Sequence, residues 1–244
     1  MKNRDSWKPT KYLLDEGKLR ANPESVGAGS LLFAELTARW YSSAMPRFCS
    51  GRVLDLGCGA APFNVIYESL TTESVCVDWP NSPHDINHAD VEHDLGKALP
   101  FSSNEFDTVL LSDVLEHVND PDLLLAEVAR VIKPGGHLLL NIPFLYWLHE
   151  VPHDNQRFTE FALKRKVVEA GLEVAEFSVV GGGVAVLADV ISKIVATTHR
   201  RCVMARLLQK IVLRLHAYVR IRNLTVRNGI ERFPIGYCLA AIKP

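Results

Sequence analysis

Val53-Leu54-Asp55-Leu56-Gly57-Cys58-Gly59-Ala60-Ala61-Pro62 decides the fold of this 244-residue chain. Three apolar residues interleaved with one acid predict a short buried strand. Two glycines then open a turn, and Pro62 suits the first turn of a following helix. Glycine is needed where a turn takes positive φ or where a ligand must approach bare backbone. A strand, a glycine-rich turn and a helix N-terminus together present free N–H groups and a positive dipole end, so a cofactor is the natural occupant.

Working outward, Leu31, Leu32, Leu36 and Trp40 recur at helical spacing after Ser30 and predict a helix to about Ala44, ended by Pro46 and Gly51. Residues 1–29 mix Lys, Pro, Gly and acids without periodicity and predict an irregular arm. Downstream, Pro62–Leu70 reads as a helix, Ser74–Asp78 as a strand, and His88–Asp94 as a short edge strand. Phe106–Ser112 is a buried strand, and Pro121–Ile132 is a helix stopped by Lys133-Pro134-Gly135-Gly136. A strand over His137–Ile142 leads into an aromatic loop reaching Thr159, then a helix over 160–170 and a strand over Glu173–Val180. Helices over 184–198 and 202–222 precede a closing strand, Tyr237–Ile242. Strands alternating with helices imply βαβ units. The expected fold is a Rossmann-like α/β three-layer sandwich. Its sheet has seven mostly parallel strands, with an antiparallel C-terminal strand. The expected organisation is one domain over 1–244: an N-terminal helical arm or lid (1–48), a cofactor-binding core (49–182), a basic helical insert (183–232) and the final strand (233–244).

Hydrophobic content of 48%, charge of 23% and a net charge of −1 are those of an ordinary globular protein. Five cysteines without paired spacing suggest neither a zinc ribbon nor a disulfide framework, and reduced thiols in the cytoplasm are expected. No signal peptide and no membrane-spanning run are expected.

In sheets of this kind ligands bind beyond the carboxyl ends of the strands. Asp78 ends the second strand there, where an acid accepts bonds from ribose hydroxyls. A dinucleotide turn wants a third glycine to meet a pyrophosphate, but Gly57-Cys58-Gly59 is followed by Ala60, Ala61 and Pro62. Asp55 would repel a pyrophosphate and suits a cationic amino-acid group. The turn is therefore shaped for adenosine with a positive centre, and a nicotinamide oxidoreductase is disfavoured.

With these residues the chain resembles a class I S-adenosylmethionine (SAM)-dependent methyltransferase of the methyltransferase type 11 group. Asp55-Leu56-Gly57-Cys58-Gly59 is similar to its first motif, Val75-Cys76-Val77-Asp78 to its second, and Asp94-Leu95 to its adenine-side motif. Phe106 to His117 resembles the fourth-strand motif, and Glu127, Arg130 and Lys133-Pro134-Gly135-Gly136 the approach to strand five. The resemblance implies SAM as cofactor, with Gly57, Cys58 and Gly59 meeting its methionine and ribose portions. It also implies Asp55 near the amino group, Asp78 on the ribose, and Trp79, Asp94 and Leu95 around the adenine. Ser112 would lie under the methionine portion, and His117 would line the pocket.

Methyl transfer from a sulfonium needs alignment, and a base only where the nucleophile must lose a proton. The loop Pro143–Thr159 follows strand five and should wall the acceptor pocket; His149 and His153 are its candidate catalytic bases. His149-Glu150-Val151-Pro152-His153 also fits a zinc-protease string, but Pro152 argues against the continuous helix that chemistry needs, so no metal is expected. The expected reaction is methylation, at oxygen, of a small-molecule or glycan-type or lipid-linked acceptor. The alternative is a SAM-binding regulatory or partner protein without catalysis. The absence of amino-methylation and base-methylation motifs weighs against nucleic acid as substrate.

Between Lys193 and Arg232 ten basic residues face one acid, with apolar residues recurring at helical spacing. A helix packed on the domain, a helix on an anionic membrane through residues 199–222, and nucleic-acid contact all fit this composition. A cytoplasmic protein, or one peripheral at the inner face of the membrane, is the matching expectation.

Overall fold

The computed structural model describes residues 1–197 and 232–244, together with Val203, Leu207, Lys210, Ile211 and Arg214. The stretch quoted above forms β3 (Gly51–Leu56), whose Val53, Leu54 and Leu56 are fully buried. Around it the seven-stranded sheet runs in the order β5 (Val91–Glu92), β4 (Thr71–Asp78), β3, β6 (Phe106–Ser112), β7 (Ile132–Pro143), β9 (Gly236–Ile242) and β8 (Glu173–Val180). All neighbours are parallel except β9, which is antiparallel to both β7 and β8.

Because the parallel strands are covered on both faces, alternate residues enter two separate cores. Val53, Leu110 and Leu139 pack under α1 (Leu31–Phe48), against Leu32, Trp40, Tyr41 and Met45. Leu54, Val109, Leu138 and Leu140 pack on the other face with Leu124 and Val128 of α3 (Pro121–Val131) and Leu163 and Val167 of α4 (Glu160–Glu169). Asp120 caps α3, accepting the Leu123 N–H at 3.0 Å, and Thr159 caps α4. This is the expected three-layer architecture with its antiparallel last strand.

Several boundaries differ from the sequence reading. Residues 1–29 are not wholly irregular: β1 (Tyr12–Asp15) and β2 (Lys18–Ala21) form a hairpin with Tyr12 and Leu19 fully buried or nearly so. Its turn places Glu16 and Gly17 at φ of 48° and 74°, the left-handed pair that matches the twist of a tight hairpin. The helix α1 continues through Pro46 to Phe48. The helix α2 is only Asn64–Tyr67, shorter than Pro62–Leu70, and the next strand starts earlier, at Thr71. Lys133-Pro134-Gly135-Gly136 does not precede a strand but lies within β7, because the chain's end pairs with it. There the Gly135 N–H donates to the Lys243 carbonyl at 2.8 Å, and the Lys243 N–H to that of Gly136 at 3.0 Å. The edge strand expected over His88–Asp94 is reduced to Val91–Glu92.

The helix α5 (Gly183–Thr197) matches the first of the two expected late helices. The basic helix expected over 202–222 lies outside the described residues except at the five isolated positions named above, all helical and exposed. No helix among the described residues is long and apolar enough to cross a membrane.

Leu139 is fully buried at the centre of the sheet. Leu139→Ala should cost about 2–5 kcal/mol of stability, read as a lowered denaturant midpoint at unchanged slope.

Candidate functional site

The turn after β3 is held by the neighbouring strand. The N–H groups of Gly57 and Cys58 both donate to the Val77 carbonyl, at 2.8 and 3.0 Å. Gly57 sits at φ 67°, and a Cβ there would meet Val114 Cγ2 at 2.4 Å, so the position admits only glycine. Gly59 also takes positive φ, and its N–H donates to Asp78 Oδ2 at 2.6 Å. Asp78 Oδ1 accepts the Trp79 N–H at 2.7 Å. Each oxygen of this buried carboxylate thus keeps a lone pair for a further donor.

Asp55 is buried below the turn. Burial pushes its carboxyl up to about 7, against the bond donated by the Tyr67 hydroxyl at 3.1 Å, with the Asp78 charge adding to the rise. A buried acid titrating near neutrality is a receptive partner for a cationic ligand group. Cys58 borders the same space, with its side chain packed against Ala61, Cys76 and Ala89.

These residues line one cavity of about 980 Å³ along the carboxyl edge of the sheet. Trp79, Asp94, Leu95, Ser112, His117, His149 and His153 border it too. The structure therefore brings every candidate site residue to a single space. Within it the two loop histidines are separated. His153 is exposed and sets its ring against Trp79, with centroids 5.1 Å apart, on the side where the resemblance places the adenine. His149 lies deeper. Its Nε2 is 3.6 Å from Glu116 Oε1 and its Nδ1 3.3 Å from Asp154 Oδ2. Burial alone would lower its pKa, but Glu116 and Asp154 raise it above the ordinary value. The His117 ring meets the His149 ring edge-on at 4.7 Å, and its Nδ1 bonds the His153 carbonyl at 3.0 Å. That bond fixes the Nδ1–H tautomer of a neutral His117, leaving Nε2 with a lone pair.

Other participants were not singled out by sequence reasoning. Asp113, in a left-handed conformation just past β6, accepts from Asn141 Nδ2 at 2.5 Å and from Lys11 Nζ at 2.9 Å. Tyr41 in turn donates to Asn141 Oδ1 at 2.9 Å. The N-terminal arm is thereby tied over the cavity, and Trp7 Nε1 donates to the Ala60 carbonyl at 3.1 Å. Opposite, His84 Nε2 bonds Glu150 Oε1 at 2.8 Å, joining the two loops at the rim; this bond raises the His84 pKa. On the acceptor side Tyr146 donates to Ser30 Oγ at 2.8 Å, and Lys193, paired with Asp189, lies over the Tyr146 ring. These partners lie far apart in sequence, and no local pattern marks them.

Comparison with known proteins fits this geometry. Residues 54–140 match the family model described as methyltransferase domain. A demethylmenaquinone methyltransferase of Renibacterium salmoninarum is 35% identical over 94 residues, covering 36% of this chain and 40% of that protein. A ubiquinone biosynthesis O-methyltransferase of Thiobacillus denitrificans is 28% identical over 170 residues, covering 59% of this chain and 73% of its own. A SAM-dependent methyltransferase structure from Mesorhizobium loti superposes with a TM-score of 0.55 at 14% identity, covering 87% of this chain and all of that one. The structure of the cyclase SpnF does so with a TM-score of 0.58 at 18% identity, covering 97% and 87% of the two chains. Fold and site thus define a Rossmann-like methyltransferase domain. Residues 54–140 carry a methyltransferase domain of the class I SAM-dependent type, and SAM is the cofactor that goes with that domain. The residues present fit it: two left-handed glycines leave the backbone bare beside a buried acid and a carboxylate with lone pairs to spare.

Asp154 anchors the His149 loop. Burial opposes its ionisation, but two bonds from Arg157, at 2.5 and 2.7 Å, and the His149 backbone N–H hold its carboxyl down at about 2. A depressed carboxylate stabilises the fold above its unfolded pKa and loses that contribution as pH falls through the folded one. Asp154→Asn should therefore flatten the fall in thermal stability between about pH 4 and pH 2, read by calorimetry across that range.

Proposed function

We propose that the protein transfers a methyl group from SAM to a hydroxyl of a small-molecule acceptor seated against Tyr146, Trp147 and His149. The observation that carries this reading is the continuity of one cavity from the glycine turn and Asp78 to the imidazole–carboxylate cluster around His149. The names of the relatives, methyltransferases of ubiquinone and menaquinone biosynthesis, support a small acceptor. A glycan-type or lipid-linked acceptor fits the same opening.

SAM supplies a methyl group on a sulfonium, which a nucleophile displaces in line. Gly57, Gly59 and Asp78 would hold its ribose and methionine portions, with Asp55 facing the amino group. Trp79, Asp94 and Leu95 would take the adenine, and Ser112 would lie under the methionine portion. The protein's part is then alignment, exclusion of water and removal of the acceptor's proton. We assign that proton to the Glu116–His117–His149 cluster. His153, the other candidate base, is placed on the cofactor side and is assigned to packing there. The same cluster supports oxygen over nitrogen as the methylated atom: an amine needs no pre-formed anion, and Ser112-Asp113-Val114-Leu115 lacks an amino-methylation pattern.

A second reading, SAM binding without methyl transfer, draws support from the likeness to a fold neighbour named as a cyclase. Contact with an anionic membrane draws support from the exposed Val184, Leu187 and Val190 of α5, which lead into the basic stretch.

The test is release of S-adenosylhomocysteine with a panel of phenolic and polyhydroxylated acceptors. His149→Gln should lower turnover at least about 100-fold while leaving SAM affinity within about twofold. Turnover unchanged in that variant would remove His149 from the chemistry, and SAM bound without product from any acceptor would favour the second reading. Asp55 gives a separate signature. A cationic group binds its ionised form, so SAM affinity should rise with pH between about 6 and about 8, and calorimetry should find that rise absent in Asp55→Asn.

A further inference from the structure

We infer that Glu116, His117 and His149 form a binding site for one divalent transition-metal ion at the acceptor end of the cavity. The inference rests on the functional reading above for what the ion does, and on geometry alone for its binding. Among the described residues, these three offer one ligand atom each within 4.8 Å of one another.

The Glu116 side chain is fully buried, and neither of its oxygens has a hydrogen-bond partner. A buried carboxylate without donors is costly, and a positive partner within its reach removes the cost. Two imidazole nitrogens face Glu116 Oε1: His117 Nε2 at 3.6 Å and His149 Nε2 at 3.6 Å. Two ligands on one tetrahedral ion with bonds of about 2.0–2.1 Å stand roughly 3.4 Å apart, so these separations need to close by only a few tenths of an ångström.

The other nitrogen of each ring faces an oxygen, the arrangement that orients metal-binding imidazoles. In His117 it does so by a hydrogen bond, and in His149 by a contact without hydrogen-bond geometry. His117 Nδ1 bonds the His153 carbonyl at 3.0 Å, and its Nε2 is buried without a hydrogen bond. His149 Nδ1 stands 3.3 Å from Asp154 Oδ2, and Arg157 clamps that carboxylate from behind. A protonated His149 bridging Glu116 and Asp154 accounts for less. At 3.6 Å its contact with Glu116 is beyond hydrogen-bond range, and Glu116 Oε2 and His117 Nε2 remain unpaired. Glu150 Oε2, 3.8 Å from His117 Nε2, offers a further oxygen nearby.

Two imidazoles and a carboxylate suit zinc, manganese, iron or cobalt better than magnesium or calcium, which prefer all-oxygen shells. The pairing of His117 with His149 is unrelated to the His149–His153 string, whose second histidine sits by Trp79. Three protein ligands leave positions open toward the cavity, where an acceptor oxygen would bind with a lowered pKa and lose its proton to water. With the ion bound, the cluster thus promotes deprotonation through the ion, and His149 does not itself take the proton. The substrate class is then a hydroxylated acceptor, favoured where two oxygens are adjacent and can chelate.

The experiment takes the full chain, freed of metal by chelation, and titrates it with Co²⁺ by visible absorption and with Zn²⁺ by calorimetry. One saturable equivalent is expected. His117→Gln and His149→Gln should each weaken binding at least tenfold, and Asp154→Asn about 10–100-fold, whereas His153→Gln should not change it. His149 and His117 are only partly buried, so their variants should fold, and SAM affinity measured in parallel checks that they do. No saturable binding by the parent protein, or binding untouched by both histidine substitutions, overturns the site. One equivalent bound without methyl transfer to any acceptor upholds the site and sinks the functional reading; methyl transfer by a protein that binds neither ion does the reverse.

Discussion

Asp78 gripping the Gly59 N–H is the contact on which the rest of the edge depends. Without it the glycine turn would have backbone donors and no fixed direction. With it, the last residue of one strand determines where the loop after its neighbour points. The carboxylate is buried, so the bond is shielded from competing water and holds the turn at small entropic cost. The two Val77 bonds extend the same grip to Gly57 and Cys58. A parallel sheet ends its strands in register: Leu56 pairs with Val77 and with Leu111, so Asp78 and Ser112 follow on the row just past β3, two residues beyond Asp55.

The other side of the cavity is organised by charge. Glu116 carries a buried carboxylate, and the side chains around it are imidazoles oriented by groups behind them. Lys11 reaches Asp113 from the N-terminal arm, and that contact connects, through Asn141 and Tyr41, to the centre of the first core. Burial works against the charge on Lys11, but the Asp113 carboxylate more than offsets it and leaves Lys11 firmly cationic. The arm is therefore fastened by an ion pair beneath a partly sheltered surface, and the polar end of the site is continuous with the packing under α1.

Much of this was legible in the sequence, for identifiable reasons. The strands β3 and β6 are apolar on both faces and bounded by turn residues, so composition alone announces them. Asp55, the two glycines and Asp78 could be read because their roles follow from position at strand ends. The hairpin β1–β2 escaped because its strands are four residues each and one face is exposed. The run Lys133–Gly136 looked like a stop, since its place in β7 depends on pairing with the chain's far end. The His149 cluster was half visible. The histidine stood out in an aromatic loop, but Glu116 read as part of a strand-end motif, and nothing local says that the two meet. Separating His149 from His153 likewise required knowing which of them faces Trp79.

The last strand enters the sheet between β7 and β8, and Val180 lies opposite Gly236. The chain leaves the sheet and returns to it at adjacent points, both on the cofactor side. Whatever lies between them is a closed excursion, and lengthening such a loop adds little entropic cost. The scaffold thus has a socket: a segment inserted there leaves strand order and glycine turn in place, while Ala185 and Ala188 at its start belong to the core under α1. Since α5 begins in that segment and lays Lys193 against Tyr146, the segment backs a side chain that lines the chamber.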